Sequence, residues 1–290
     1  MAGAVSRRGR DMPAMIYGTA WKGQATSALV VEAVRAGFRG IDPACQPKHY
    51  QEHLVGDALE ALSRGDTPAG AGAVPRDSLY LQTKFTSLDG QDPSKPLPYD
   101  PEAPVDAQVH QSVAKSLSNL KTSYLDAVLL HSPLRTHALT MQAWRALELE
   151  VDRGRVLRVG LSNCYDLREL RELHAAARVK PAVLQNRFYP DTGWDREVRA
   201  FCRCNGITYQ SFWTLTGNRA ALASHELRRV AARTGLTPEG VWFKFVQMLG
   251  IVPLNGTTSR THMKEDLELE SAPALSDEDF AALKAIIGEP

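Results

Sequence analysis

The chain has little that would tie it to a membrane, a nucleic acid or a disulfide framework. Its 290 residues contain no apolar stretch long enough to span a bilayer. Lysine plus arginine (34) and aspartate plus glutamate (33) nearly cancel, leaving a formal charge of +1. That balance offers no electrostatic case for nucleic acid or an anionic membrane as partner. The four cysteines are Cys45, Cys164, Cys202 and Cys204; no CxxC occurs and no zinc or disulfide spacing is present. Reduced thiols in a cytoplasmic protein without a metal site are therefore expected. Residues 1–13 carry Arg7, Arg8 and Arg10, but no apolar signal core follows them. They read as a loose tail, with a transit peptide as the alternative.

What is present is an ordinary globular composition, 43% hydrophobic and 23% charged. Short apolar runs predict strands at 14–18, 39–42, 78–84, 124–130, 156–161, 182–185, 207–211 and 251–253. Between them, 3.6-residue periodicity and stop signals predict helices at 26–36, 52–64, 105–120, 138–153, 166–176, 194–204, 220–233 and 238–249, with two more at 262–267 and 277–287. Leu29, Val30, Ala33 and Val34 mark the inward face of the first helix, and Gly37 stops it. Asp166 is the expected N-cap of the fifth. About eight βα units in succession argue for an α/β fold, a (β/α)8 TIM barrel spanning 1–290 as a single domain. Residues 65–75 read as a surface loop. Residues 86–104 hold five prolines and cannot be regular structure, and irregular loops of that length are usually functional.

In such a barrel the C-terminal ends of all strands meet on one face. Asp42, Lys84 and His131 each close an apolar run, and Tyr50 follows Asp42 in a polar loop. Taken singly, Asp42 is also explained as a cap, Lys84 as a solvated strand end and His131 as a core histidine. Together on successive strand ends they form a proton-donating set of acid, amine, phenol and imidazole.

Six sequence blocks occur in a telling order: Gly18-Thr19, Gly37-Phe38-Arg39-x-Ile41-Asp42, Gln82-Thr83-Lys84, Leu129-Leu130-His131-x-Pro133, Val159-Gly160-Leu161-Ser162-Asn163, and Gln185 after Pro181. Over roughly residues 15–267 the chain resembles the aldo-keto reductase family. The resemblance implies a barrel that binds NADP(H) without a Rossmann fold and reduces aldehydes and ketones to alcohols. It implies Tyr50 as proton donor, Lys84 as the group that lowers the Tyr50 pKa, Asp42 as partner of Lys84 and His131 as orienter of the carbonyl. By the same matching, Gly18, Thr19, Ser162, Asn163 and Gln185 belong to the cofactor site, and Phe212 falls where a ring stacks on the nicotinamide. Trp213, Leu215 and Gly217 belong to the following phosphate loop, with Thr216 and Asn218. Thr257, Thr258, Arg260, His262, Glu265 and Asp266 belong to the adenosine end. Trp21, with Tyr50 and His131, is expected in the substrate pocket. Trp194 and Trp213 are further candidates for its wall, and Leu97 and Tyr99 for a roof. A small carbonyl compound is the expected partner, and a monomer or weak dimer the expected assembly.

The chain departs from the family pattern in three places. The tyrosine is usually five residues after the aspartate, a position held here by Pro47, which has no proton to give. Tyr50 is the nearest phenol; His49 is the fallback acid, expected on the outer side of the Pro47-Lys48 turn. Trp213 and Thr214 replace a serine and a proline. No lysine follows Pro253, which leaves NAD(H) as an alternative cofactor. Two other readings are compatible with these residues: a cofactor-binding but non-catalytic interaction subunit, favoured by Pro47, and an aldolase using Lys84 as a Schiff-base lysine.

Overall fold

Eight parallel strands close into a barrel in sequence order: β1 (Ile16–Gly18), β2 (Gly40–Asp42), β3 (Tyr80–Phe85), β4 (Ala127–Leu130), β5 (Val159–Ser162), β6 (Val183–Arg187), β7 (Thr208–Phe212) and β8 (Val252–Asn255). β8 returns to β1 with Ile16 opposite Leu254 and Tyr17 opposite Asn255. The computed structural model describes residues 11–66 and 72–289. The expected tail at 1–10 and part of the expected loop at 65–75 lie outside these.

The helices wrap the barrel. They are α1 (Thr26–Ala36), α2 (Glu52–Arg64), α3 (Val105–Asn119), α4 (His137–Asp152), α5 (Leu167–Ala176), α6 (Arg196–Cys204), α7 (Arg219–Leu222), α8 (His225–Thr234), α9 (Pro238–Met248), α10 (Arg260–Glu268) and α11 (Asp277–Ile286). Six of them start at side-chain caps. The hydroxyls of Thr136, Ser224, Thr237, Ser259 and Ser276 and the carboxylate of Asp166 each accept a hydrogen bond from a first-turn backbone N–H. Leu29, Val30, Ala33 and Val34 are buried, as the α1 periodicity predicts. Among the described residues no helix is long and apolar enough to cross a membrane.

Three sequence expectations are corrected. The helix expected at 220–233 is two, because the Ser224 hydroxyl takes Leu227 N–H and starts α8 afresh. The helix expected from residue 194 starts at Arg196, since Trp194 and Asp195 have φ of 51° and 54°. Hydrogen bonds hold that left-handed pair: Trp194 Nε1 donates to Asn218 Oδ1 (2.8 Å), and Asp195 Oδ2 accepts from Asn186 Nδ2 (2.7 Å) and the Tyr209 hydroxyl (2.9 Å). Residues 12 and 13 are no loose tail. Met12 packs on the barrel floor formed by Ile16, Tyr80 and Ala127, and Pro13 lies against Gly40.

Period-two alternation sorts each strand into layers. Along β3, Tyr80 belongs to the apolar floor, Gln82 meets Gln210 of β7 above it, and Lys84 reaches the top; all three are buried. Outside the barrel, α2 and α3 meet at a point that tolerates no side chain. A Cβ on Gly56 would lie 1.9 Å from Asn119 O. Gly56→Ala should therefore destabilise the fold by about 1–3 kcal/mol through forced separation of the two helices, read as a lower midpoint in urea unfolding. An unchanged midpoint would show that the α2–α3 contact yields freely.

Candidate active site

The strand C-termini open into a cleft of about 1170 Å³, at the upper end of what a small ligand fills. Asp42, Tyr50 and His131 line it on the β2–β4 side, and Ser162, Asn163, Gln185, Arg187 and Phe212 on the β5–β7 side. Asp42 ends β2 and is buried, with Oδ2 2.5 Å from Lys84 Nζ. Its Oδ1 accepts from Gln82 Nε2 (2.7 Å) and Gln185 Nε2 (3.2 Å). Both amides also donate to Gln210 Oε1, and Gln210 Nε2 donates back to Gln82 Oε1. The network saturates a carboxylate that would be costly to bury unpaired.

The departure at Pro47 is absorbed by one tight turn. The Gln46 carbonyl accepts from both His49 N–H (3.2 Å) and Tyr50 N–H (3.1 Å). Pro47 has no N–H to lose in such a turn, and the turn delivers Tyr50 to the cleft. The Tyr50 ring centroid lies 5.5 Å from Lys84 Nζ and 6.1 Å, edge-on, from the His131 ring. His49 also lines the cleft, contrary to the expected outer position. Trp21 holds it there: the indole Nε1 donates to His49 Nδ1 (3.0 Å), and Trp21 N–H to the His49 carbonyl (2.8 Å). The proton of the neutral ring is therefore on Nε2.

His131 follows β4, with its N–H on the Phe85 carbonyl (2.8 Å) and its Nδ1 2.7 Å from Thr86 Oγ1. Thr86 has no sequence signal of its own. Burial, then the charges of Lys84 and His49, lower the His131 pKa to about 3, so the ring is neutral near pH 7. Burial also lowers the Lys84 pKa, against the pull of Asp42. The expectation was that Lys84 lowers the Tyr50 pKa; burial and then the Asp42 carboxylate push the phenol above its ordinary value, while the Lys84 ammonium closes on Asp42. Lys84 itself is only 1% exposed and does not line the cleft, so it offers no amine to a carbonyl substrate and the aldolase reading falls.

The remaining expected residues divide. Gly18, Thr19, Trp21, Trp213, Leu215, Thr216, Thr257, Thr258, His262, Glu265 and Asp266 line the cleft. Gly217 does not; it packs behind, against Tyr189 and the Phe188 carbonyl. Asn218 is buried, holding Phe188 and Thr214 carbonyls and the Trp194 indole, so Trp194 is a structural residue and no part of the wall. Arg260 turns outward to Glu32 (2.8 Å). Tyr99 packs on Phe85 and donates to the Thr86 carbonyl (2.7 Å), and neither it nor Leu97 lines the cleft. The loop of residues 86–104 thus braces the end of β3 and is not a roof. Sequence reasoning missed Lys22, Arg187 and Arg219 as cleft cations. Arg187 carried a signal, since it stands two residues beyond Gln185 on the same strand face.

A dinucleotide fits the cleft in size and in chemistry. Phe212 gives a ring and Gln185 Oε1 an acceptor for an amide, while the Ser162 hydroxyl, Asn163 Nδ2 and Gln185 Nε2 already donate within the protein. At the far end Thr257, Thr258 and His262 stand beside Glu265 and Asp266, the latter held by Asn255 Nδ2 (2.6 Å).

The His131 shift has a consequence for stability. Its folded pKa lies below the unfolded value of about 6.5, so the unfolded chain binds more protons between the two. Stability is fully present above pH 6.5 and is lost as pH falls towards 3. Urea unfolding should show at most about 2 kcal/mol more loss between pH 7 and pH 5 in the wild type than in His131→Gln. Equal losses would mean that the ring is solvated when charged.

The sequence profile of the Aldo/keto reductase family matches residues 14–288. Glycerol 2-dehydrogenase (NADP(+)) of Hypocrea jecorina is 28% identical over 96% of this chain and 89% of its own. NADPH-dependent codeinone reductase 1-4 of Papaver somniferum is 28% identical over 90% and 82%. Among solved structures, an aldo/keto reductase from Brucella melitensis superposes with a TM-score of 0.78, at 23% identity and 96% coverage of both chains. The aldo-keto reductase AKR2E5 complexed with NADPH superposes with a TM-score of 0.76, at 22% identity over 96% of this chain and 85% of its own. With that match across nearly its whole length, the chain belongs to the aldo/keto reductase family.

Proposed function

We propose that the protein is a carbonyl reductase of the alcohol dehydrogenase (NADP+) type, reducing an aldehyde or ketone with NADPH. The observation that carries this reading is the convergence of Asp42, Tyr50 and His131 at one end of a cleft large enough for a dinucleotide and a substrate, with Lys84 buried behind them on Asp42. Relatives named as NADP(+)- or NADPH-dependent enzymes support the cofactor.

A dinucleotide bound in the cleft would supply hydride for the carbonyl carbon. The protein manages the charge that develops on oxygen. Tyr50, kept protonated by burial and Asp42, gives its proton to the developing alkoxide. The phenolate left behind faces the Lys84 ammonium, which Asp42 holds in place, so charge is compensated where it forms. Lys84 acts as this compensating cation. In the tautomer whose Nδ1 accepts from the Thr86 hydroxyl, 2.7 Å away, His131 presents Nε2–H to the carbonyl oxygen and fixes its orientation. Ser162, Asn163, Gln185 and Phe212 would hold the nicotinamide, and the cleft residues of α10 would hold the adenosine. Because Pro47 is absorbed by the turn that delivers Tyr50, the non-catalytic reading loses the one feature that favoured it.

Steady-state kinetics separate the roles. Tyr50→Phe should lower kcat by about 10²-fold or more with little change in KM. Lys84→Met should do the same, and should also lose stability because Asp42 is left unpaired. His49→Ala should act mainly on KM. If His49→Ala is the crippled variant and Tyr50→Phe is near wild type, histidine is the acid; near-silence in both would return the non-catalytic reading.

Cofactor titration followed by tryptophan fluorescence should show binding of NADPH and, less than about tenfold more weakly, of NADH. The small margin follows from Arg260 being spent on Glu32 while His262, Thr257 and Thr258 remain. Equal affinities would remove recognition of the 2′-phosphate, and binding of neither would end the reductase reading.

A further inference from the structure

The β6–β7 side of the cleft holds a cation that the mechanism does not use. Arg187 closes β6 and lines the cleft. Its backbone N–H is fixed by the Tyr165 hydroxyl (3.0 Å). Its guanidinium carbon lies 3.9 Å from the centre of the Trp213 ring, 5.2 Å from that of Tyr189 and 5.8 Å from that of Phe212. Trp213 stands with φ of 55°, a conformation uncommon for a bulky residue. It leaves 43% of the residue exposed while the ring backs the guanidinium.

Among the described residues no carboxylate pairs with Arg187, and its Nε is buried with no hydrogen-bond partner. A buried unpaired donor costs about 1–3 kcal/mol, more when charged. Stacking on aromatic faces orients the guanidinium plane without using any of its N–H donors. The result is a planar fork, preorganised and unsatisfied, in a ligand-sized cleft. Its geometry matches phosphate and carboxylate, which accept two parallel N–H bonds. Arg219, exposed at the start of α7, adds a second cation lining the same cleft.

We propose that Arg187, backed by Trp213, is an anion-binding subsite of the cleft, taking a diphosphate or a carboxylate. The diphosphate would come from the dinucleotide, in which case the site rests on the reductase reading. The carboxylate would come from a substrate that carries an acidic group besides its carbonyl.

The test uses inorganic pyrophosphate as probe, with calorimetry and the Trp213 fluorescence assigned by Trp213→Phe. Wild type should bind pyrophosphate, Arg187→Met should bind it at least about tenfold more weakly, and Arg187→Lys should fall between, because the charge remains but the fork does not. Unfolding curves establish that the variants fold, and Arg187→Lys serves alone if Arg187→Met does not. An equal loss of NADPH affinity in Arg187→Met assigns the site to the dinucleotide. A raised KM for a carboxylate-bearing aldehyde, with none for its methyl ester, assigns it to the substrate. Unchanged affinity for pyrophosphate, NADPH and the acidic aldehyde overturns the proposal. Wild type that binds pyrophosphate but neither NADPH nor NADH would sink the reductase reading and leave the subsite standing.

Discussion

The interaction on which the rest of the site depends is the buried Asp42 carboxylate. It takes the Lys84 ammonium on one oxygen and the amides of Gln82 and Gln185 on the other. Those amides, joined through Gln210, link β2, β3, β6 and β7 across the interior of the barrel. An apolar interior would pack as well, but would leave nothing to fix a charged lysine beneath a phenol. The network also determines electrostatics. Because the ammonium is matched by Asp42, Tyr50 experiences burial and a carboxylate more than a free cation, and retains its proton. In the proposed mechanism Lys84 then contributes where charge appears during reaction, which is the differential stabilisation that catalysis requires.

The cleft is built asymmetrically around that network. The β2–β4 side carries groups that exchange or hold protons, each positioned by a neighbour: Tyr50 by the turn on Gln46, His49 by Trp21, and His131 by Thr86. The β5–β7 side carries amides, an aromatic ring and a stacked guanidinium. The proton-handling side suits a small reacting group, and the opposite side suits a long polar ligand lying across the strand ends. The Trp213 ring belongs to this division. A serine at its position would remove the nearest of the three rings around the Arg187 guanidinium.

The barrel, and the meeting of its strand ends on one cleft, were legible because period two and period 3.6 are local properties. Asp42, Lys84 and Gln185 each lie on the inward phase of a strand, and the barrel rule brings strand ends together whatever their separation along the chain. The splits at Ser224 and Trp194 were not legible. In the first, a single hydroxyl competes with the helix for backbone donors. In the second, Asp195 is drawn to Asn186 and Tyr209, partners on two strands, and the backbone follows the side chain. Tyr99 and Leu97 were misplaced because a proline-rich loop has no period from which to read its facing; its direction is set by the Tyr99 contact with Phe85.

The sequence by itself determined the closed parallel barrel, the strand ends that carry Asp42, Lys84 and His131, and the Asp166 cap that starts α5. These rest on short-range patterns that every copy of the chain carries in any environment. Only the tertiary structure decided that Tyr50 reaches the cleft past Pro47, that Arg260 is spent on Glu32 while His262 faces inward, and that Arg187 stacks on Trp213 with no anion of its own. Each of those depends on a partner distant in sequence or on the path of an irregular loop. Such long-range pairing is a property of the packed molecule, because side-chain burial and satisfaction of polar groups are settled only once all eight strands are in place.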